Sequence, residues 1–370
     1  MIKAIYIHIP FCYYKCPYCD FLSVVESPIS KQEYIKALFR EFELYKDLEA
    51  CIETVYFGGG TPSLLSPDEI GKILERLYKT FDLSRVKEIT LECNPETYRE
   101  MEFKEIKELG INRISIGVQS FTEKGLKILG RKHTLGDTYR CLESVFSSGL
   151  ENVNVDLIWG FPSQNEEDLY REFEELEKFP VKHISTYLLT LYDDTPMGIS
   201  YKKGKFKLPE EEKIDRFHKI LSENLKRIGF ERYEISNWAK EGYECKHNLV
   251  YWKMEEFLGF GVSAWGFYEN NRYGNTRNIY KYFKLLEEKK TPIEHKVQIC
   301  GLEFEKEKVM LGLRLTEGIE NKYLQFVPEY IKEFMEVKNG RLRIKEEFLL
   351  TSNEIIAEIL KNMELTFNEV

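Results

Sequence analysis

Three cysteines fall within one short stretch, FCYYKCPYCDF, as Cys12, Cys16 and Cys19, while Cys51, Cys93, Cys141, Cys245 and Cys300 are scattered. Clustered thiols beside scattered ones point to metal binding rather than to a disulfide framework. The spacing is C-x3-C-x2-C. A cubane iron–sulfur cluster ordinarily takes four thiolates, yet Asp20 and Phe21 follow Cys19, so one iron is left without a local protein ligand. An open coordination position is where chemistry occurs. S-adenosylmethionine (SAM) can chelate such an iron through its amino and carboxylate groups. One electron passed to its sulfonium then releases methionine and a 5′-deoxyadenosyl radical. The alternative is a zinc site with a remote fourth ligand, although zinc ribbons carry two Cys-x-x-Cys pairs and no second pair occurs here. The five scattered cysteines read as small buried hydrophobes.

The loop must be held by regular elements, and the first half of the chain alternates two kinds of segment. Short runs rich in β-branched and aromatic residues span Ala4 to Ile9, Thr54 to Thr61, Glu88 to Cys93, Arg113 to Gln119, Asn152 to Gly160 and His183 to Leu189. They read as mostly apolar on both faces, as strands of a helix-covered parallel sheet do. Between them lie amphipathic segments. In SPDEIGKILERLYKTF, Ser66 is a good N-cap, Pro67 suits the first helical position and Glu69 completes a capping box. Six β–α units in order predict an α/β fold, a full or partial (β/α)6 barrel, with an open doubly wound sheet as the alternative. Polar and glycine residues gather at the C-terminal ends of the runs, the edge where barrel active sites form.

After about Leu208 the pattern changes. Residues 1–208 form the expected barrel core. Residues 209–280, with an aromatic and asparagine-rich stretch, read as a region closing the barrel. Residues 281–370 read as a smaller α+β domain of winged-helix-like character, in which VKNGRLRIKEEFLLT carries an Asn339-Gly340 hairpin turn.

Composition narrows the partners. The formal net charge of −9 over 370 residues argues against nucleic acid as a partner. No apolar run approaches the roughly 20 residues that a membrane span needs, and the N-terminus lacks a signal-peptide pattern. A cytoplasmic protein without an integral membrane segment is expected.

The stretch YIHIPFCYYKCPYCDF resembles the radical SAM superfamily. Within it, the resemblance is closest to the oxygen-independent coproporphyrinogen III oxidases and their relatives, the HemW-type heme chaperones. It extends from about Ile5 to Leu360 and implies a partial barrel followed by a C-terminal domain, a [4Fe–4S] cluster on Cys12, Cys16 and Cys19, and a SAM pocket. By the same resemblance Gly58, Gly59, Gly60 and Thr61 receive the methionine amino group. Glu92 accepts the ribose hydroxyls, Arg131 pairs with the methionine carboxylate, and Gln119 and Asp156 occupy further SAM-contacting positions. Tyr6 serves the SAM end of the site and Tyr18 packs on the adenine. The glycines of GFGVSAWG, Gly259 to Gly266, are expected near bound cofactors.

The resemblance also implies two activities. Coproporphyrinogen dehydrogenases carry a further cysteine in a C-x-C pattern from the third ligand, where this chain has Cys19-Asp20-Phe21 with Phe21 at the cysteine's place, and a longer N-terminal extension, whereas here the first strand begins almost at Met1. Both differences favour the heme-chaperone branch, whose members bind heme and pass it to client proteins, possibly membrane-associated ones. The run His247-Asn248-Leu249-Val250-Tyr251-Trp252 matches a pattern of that branch, and offers His247 as an axial heme ligand with Tyr251 and Trp252 stacking on the porphyrin. Cys245 is a thiolate alternative. A protein whose cluster only senses redox state is a third reading.

Overall fold

A computed structural model describes residues 1–26 and 29–368. Residues 369–370 of the expected C-terminal segment lie outside the described residues. Six strands run parallel: β1 (Ile2–Ile9), β2 (Ala50–Gly59), β3 (Glu88–Cys93), β4 (Arg113–Gln119), β5 (Asn152–Trp159) and β6 (His183–Leu188). They pair in sequence order without reversal. A doubly wound sheet reverses its order at a switch point. Here right-handed crossovers instead keep the helices on one face, and the sheet curls into a partial barrel.

Further strands extend both edges. On one side lie β7 (Glu231–Arg232) and β8 (Asn237–Ala239), with β8 antiparallel to β6. On the other, β9 (Phe257–Phe260) runs parallel to β1, and β10 (Trp265–Tyr268), β11 (Asn271–Asn275) and β12 (Ile293–Gln298) follow antiparallel, making β12 the edge strand. Residues 279–298 therefore pack with the large sheet. A second core runs from Val309 to Met363. It is built from the helices Gly301–Gly312 and Ser352–Asn368 and a small sheet of β13 (Ile319–Glu320), β14 (Met335–Lys338) and β15 (Arg341–Ile344). The Asn339-Gly340 turn has both φ angles positive, at 52° and 74°, as a tight hairpin requires.

The strands are not apolar on both faces. In β3, Ile89, Leu91 and Cys93 join the helix-packed core, while Glu88, Thr90 and Glu92 project to the other side. In β4 and β5 the same alternation sends Arg113, Ser115, Asn154 and Asp156 inward. The barrel interior is thus polar and buried. Its groups are cross-paired: Asn154 donates to Ser115 Oγ at 2.7 Å and to Asp156 at 2.8 Å, and the His183 ring contacts Asn154 Oδ1 at 2.6 Å and the Tyr233 hydroxyl at 2.8 Å.

Helix Lys31–Glu43 ties β1 to the edge extension. Its N-cap Ser30 forms a capping box with Glu33, as Ser66 does with Glu69 in the next helix. Tyr34 donates to the His8 carbonyl at 2.8 Å and accepts from Val262 N–H at 3.1 Å. Two turns on, Glu41 is fully buried and accepts from Gly261 N–H at 2.8 Å, Asn275 Nδ2 at 2.6 Å and the Tyr282 hydroxyl at 2.6 Å. Glu41→Ala would leave these donors buried and unpaired. The expected cost is about 2–4 kcal/mol, read as a lowered urea midpoint; an unchanged midpoint would show that these contacts do not hold the extension.

Candidate functional site

The cysteine loop leaves the C-terminal end of β1 and is pinned along its length. Cys12 N–H donates to Val24 O at 3.0 Å, and Val24 N–H returns to Pro10 O at 2.7 Å. Thr61 N–H donates to Phe11 O at 2.8 Å, joining the loop to the end of β2. His8 reaches the loop from β1, its Nε2 lying 2.9 Å from Leu22 O. Burial drives the His8 pKa down to about 4, so the ring is neutral and donates from Nε2. Glycine is required beneath these contacts. Gly59 has φ +114° and a Cβ there would lie 2.6 Å from the His8 ring, while at Gly60 it would lie 2.7 Å from Phe11 O and 3.0 Å from Cys12 Sγ.

The loop roofs a cavity of about 450 Å³ at the C-terminal ends of the strands. Among its lining residues are Cys12, Cys16, Cys19, Tyr18, Gly59, Gly60, Thr61, Glu92, Gln119, Arg131 and Asp156. Asn94, one of the polar residues that the sequence places at the C-terminal strand ends, lines it too, as do residues given no role by the sequence: Ser115 and Gly117 at the strand ends, and Phe21, Tyr187, Leu188 and Tyr192 at the mouth. Ser115 and Gly117 follow Arg113 at period two, which is the signal that could have found them. Tyr6 and Gly58 are not on the lining. Tyr6 lies one layer beneath, its hydroxyl 3.2 Å from His8 Nδ1, and a Cβ at Gly58 would lie 2.9 Å from the Tyr6 ring.

The polar groups of the cavity are aimed before any ligand arrives. Arg131 is nearly buried and donates to Cys16 Sγ at 3.1 Å, Asn94 Oδ1 at 2.9 Å and Gly117 O at 3.2 Å. Gln119 holds φ +67°, a rare backbone state for a side-chain-bearing residue. The next residues are fixed by buried Glu172, which accepts from Ser120 Oγ and Phe121 N–H, each at 2.5 Å. Glu92 accepts from the Tyr56 hydroxyl at 2.9 Å and from Gly59 N–H at 3.1 Å. Burial, then the nearby Asp156 carboxylate, push its pKa up to about 7, and burial raises that of Asp156 too. Two crowded carboxyls at one wall favour a ligand that brings hydroxyl or ammonium donors.

Three thiols face this cavity, and burial raises the pKa of Cys12 and takes that of Cys19 up to about 11. Among the described residues no three His, Cys, Asp or Glu side chains close round one point, as a single metal ion needs. Three thiols on one wall of a pocket that also holds Arg131, Glu92 and the strand-end glycines form a donor set that fits a cubane cluster, which takes each thiolate on a different iron, with a further ligand beside it.

The heme candidates lie elsewhere, at the closed end of the barrel. The short helix Lys246–Trp252 plugs that end, with Glu88 accepting from the backbone N–H groups of Lys246 and His247 at 2.9 and 3.0 Å. His247 is 1% exposed, its Nδ1 2.8 Å from Thr54 Oγ1 and its Nε2 2.6 Å from the Tyr251 hydroxyl. It stacks on Tyr56, and burial with the Arg113 charge drives its pKa down to about 3. Both ring nitrogens are committed, so the expectation of His247 and Tyr251 gripping a porphyrin meets a packed barrel floor. Trp252 is half-buried, with the Arg314 guanidinium over its ring. Cys245 is fully buried, its Sγ 3.5 Å from Glu88 Oε1, and burial raises its thiol to about 12. The GFGVSAWG glycines allow close chain packing, since a Cβ at Gly259 would lie 1.8 Å from Trp265 O, and none of them lines the cavity. Of the scattered cysteines, Cys93, Cys141 and Cys245 are buried, Cys51 is half-buried and Cys300 is exposed.

The barrel and the cysteine loop define a radical SAM protein, and the radical SAM superfamily model matches residues 6–176. Membership brings with it a [4Fe–4S] cluster and SAM. The chain is 34% identical over 346 residues to the heme chaperone HemW of Lactococcus lactis, covering 92% of this chain and 90% of that protein. It is 32% identical over 373 residues to HemW of Bacillus subtilis, covering 100% and 98%. The chain belongs to the HemW family. Its fold matches the solved structure of Escherichia coli coproporphyrinogen III oxidase, HemN, with a TM-score of 0.82 at 19% identity, over 98% of this chain and 90% of that one. Among the described residues no helix is long and apolar enough to cross a membrane.

Glu92 yields a pH prediction. Its folded pKa of about 7 exceeds the ordinary 4.5, so the folded state keeps a proton that the unfolded chain has released. Stability from this group is full below about pH 4.5 and is lost as pH rises through about 7. Glu92→Gln removes the titration yet still accepts from Gly59 N–H and contacts the Tyr56 hydroxyl. Cluster-free Glu92→Gln is expected to lose less stability than wild type between those pH values, by about 1–3 kcal/mol. Parallel urea-midpoint profiles for the two proteins would refute the assignment.

Proposed function

We propose that this chain is a heme chaperone. It carries heme and passes it to client proteins, and its cluster and SAM sit beneath the cysteine loop. The observation that carries this reading is identity of 32–34% over nearly the whole chain to proteins named heme chaperone HemW. Phe21 two residues after Cys19 supports it, because the coproporphyrinogen dehydrogenases it resembles have a further cysteine at that place, in a C-x-C pattern from the third ligand. Likeness to HemN is a likeness of fold.

In this reading Cys12, Cys16 and Cys19 hold the cluster. Gly58, Gly59, Gly60 and Thr61 present backbone to the methionine amino end, and Arg131, already fixed by Asn94 and Gly117, meets the carboxylate. Glu92 takes ribose hydroxyls, with Gln119 and Asp156 on the same walls. Tyr18 packs against the adenine. Tyr6 acts from below, through His8 and Gly58. When bound, the cluster and SAM supply one-electron chemistry at the sulfonium. The protein's own part is to fix donors and exclude water. The aromatic and aliphatic rim of Phe21, Leu188 and Tyr192 serves that exclusion. A cytoplasmic location fits the clustered thiols, and respiratory proteins at a membrane are clients that such a carrier would serve by transient docking.

The test is made on anaerobically reconstituted protein. With SAM, a strong reductant and coproporphyrinogen III, no protoporphyrinogen should form, while the heme-loaded chain should transfer heme to an apo-cytochrome. Protoporphyrinogen formed over many turnovers would make the chain a dehydrogenase. Cys16→Ala should lose the visible absorbance of the cluster, and a full cluster in that variant would overturn the ligand assignment.

A further inference from the structure

A heme carrier needs a ligand for heme iron, and imidazole is the commonest. The chain has six histidines, and five are spent inside the fold. His8 is held by Tyr6 and Leu22, and His247 by Thr54 and Tyr251. His183 is held by Asn154 and Tyr233, and His133 contacts Arg131 and Val118 O. His218 Nε2 accepts from Arg232 Nη2 at 2.7 Å, and its ring stacks on buried Trp159.

His295 differs. It is exposed on the edge strand β12, and among the described residues neither of its ring nitrogens has a hydrogen-bond partner. Strand register builds its surroundings. Trp265 of β10 lies opposite Gly274 of β11, and Gly274 lies opposite His295, so the three share one face of the sheet. With no side chain at Gly274, the indole of Trp265 lies over the backbone, where a Cβ would sit 2.8 Å from its Cε2. The indole and imidazole planes are parallel to within 5°, with centroids 6.1 Å apart. Both rings stand on a surface, with Trp265 48% exposed. Val297, two residues along the same face, is 64% exposed and is the adjoining apolar side chain.

We infer that His295 is the axial ligand for the iron of the carried heme, with Trp265 as the positioning residue that holds the imidazole upright. The inference rests on the heme-carrier reading above. An imidazole bound to heme iron stands normal to the porphyrin plane. A ring braced along one face by an indole, with its nitrogen edge free, is oriented for that bond. The porphyrin then covers exposed Val297, beside the Arg272 that lies opposite it and pairs with Glu307. His247 would have to leave two hydrogen bonds and a stacked ring before it could bind iron. An edge site also suits cargo that must be given up, because one side of the heme stays accessible to the recipient.

The test is hemin titration of the full-length protein, followed by absorbance and by electron paramagnetic resonance for the signature of imidazole ligation, with circular dichroism as the check on folding. Wild type should bind one heme per chain with that signature. His295→Ala should weaken binding at least about tenfold and lose the signature. His295→Gly should regain it when free imidazole is added, which a structural role would not produce. His247→Ala should lower thermal stability and keep the signature, and Trp265→Ala should keep ligation with weaker affinity. Unchanged ligation in His295→Ala, or a thiolate signature abolished by Cys300→Ala, would overturn the inference while leaving the carrier reading standing. Failure of wild type to bind hemin at all would refute the carrier reading, and this one with it.

Discussion

The structure depends on pairing polar side chains that are buried inside the barrel. Alternation along each strand gives one face to the helices and the other to the interior, and the interior face here carries Glu88, Thr90, Arg113, Asn154, Asp156 and His183. An unpaired polar group at such depth costs several kcal/mol. The chain answers by linking strand to strand across the interior, from Tyr233 through His183 and Asn154 to Ser115 and Asp156. The short helix Lys246–Trp252 completes the lower layer. Glu88 accepts its first backbone donors, and His247 satisfies Thr54 on one side and Tyr251 on the other. The open end is not balanced in this way. There Glu92 and Asp156 remain close and mutually unfavourable, and Arg131 is bound to neutral acceptors and a thiol. The lower layer is cross-linked, although Thr90 Oγ1 and Arg113 Nε stay buried without a hydrogen-bond partner among the described residues, and the upper layer, with two crowded carboxyls, is the one that faces the cavity.

The cysteine loop inherits its precision from the same interior. His8 sits one residue pair above Tyr6 on β1, and its neutral ring reaches out of the barrel to hold Leu22. Gly59 and Gly60 let β2 approach so closely that Phe11 and Thr61 share a backbone hydrogen bond. A loop of this length would otherwise sample many states. Fixed at Pro10, Phe11 and Leu22, it presents its three thiols in one direction, which a cluster bound through separate irons requires.

The regular elements were legible because each carries its own local signal. β3 and β4 span the residues that hydrophobic patterning predicts, and the capping boxes at Ser66 and the turn at Asn339-Gly340 are written in adjacent residues. Most of the cavity was legible too, since a strand end announces itself by a change from apolar to polar or glycine. The polar interior was not recognised, although Glu88, Thr90 and Glu92 alternate plainly. Buried strands were judged by total apolarity, and a charged residue paired across a barrel looks the same in sequence as one at a surface. The role of His247 was hidden for a related reason. Its partner Thr54 lies 193 residues away, and a motif records which side chains are near in sequence, not whether their nitrogens are already taken.

That distinction bears on how a radical SAM scaffold carries a second cofactor. A buried histidine inside the barrel would place iron among groups that hold the floor together, and each transfer would unmake part of the fold. The edge extension β9 to β12 is different in kind. It is anchored to the barrel's first helix by Glu41 and Tyr34 and lies beside β1, yet among the described residues its last strand has no neighbour on its outer side. A side chain there can gain or lose a ligand without touching the polar network. The proposed separation of the two sites would also separate their chemistry: the cavity beneath the cysteine loop is roofed and rimmed by apolar side chains, while release of cargo demands exposure. In that proposal one continuous sheet would supply both, with its sheltered centre at β1 to β6 and its open margin at β12.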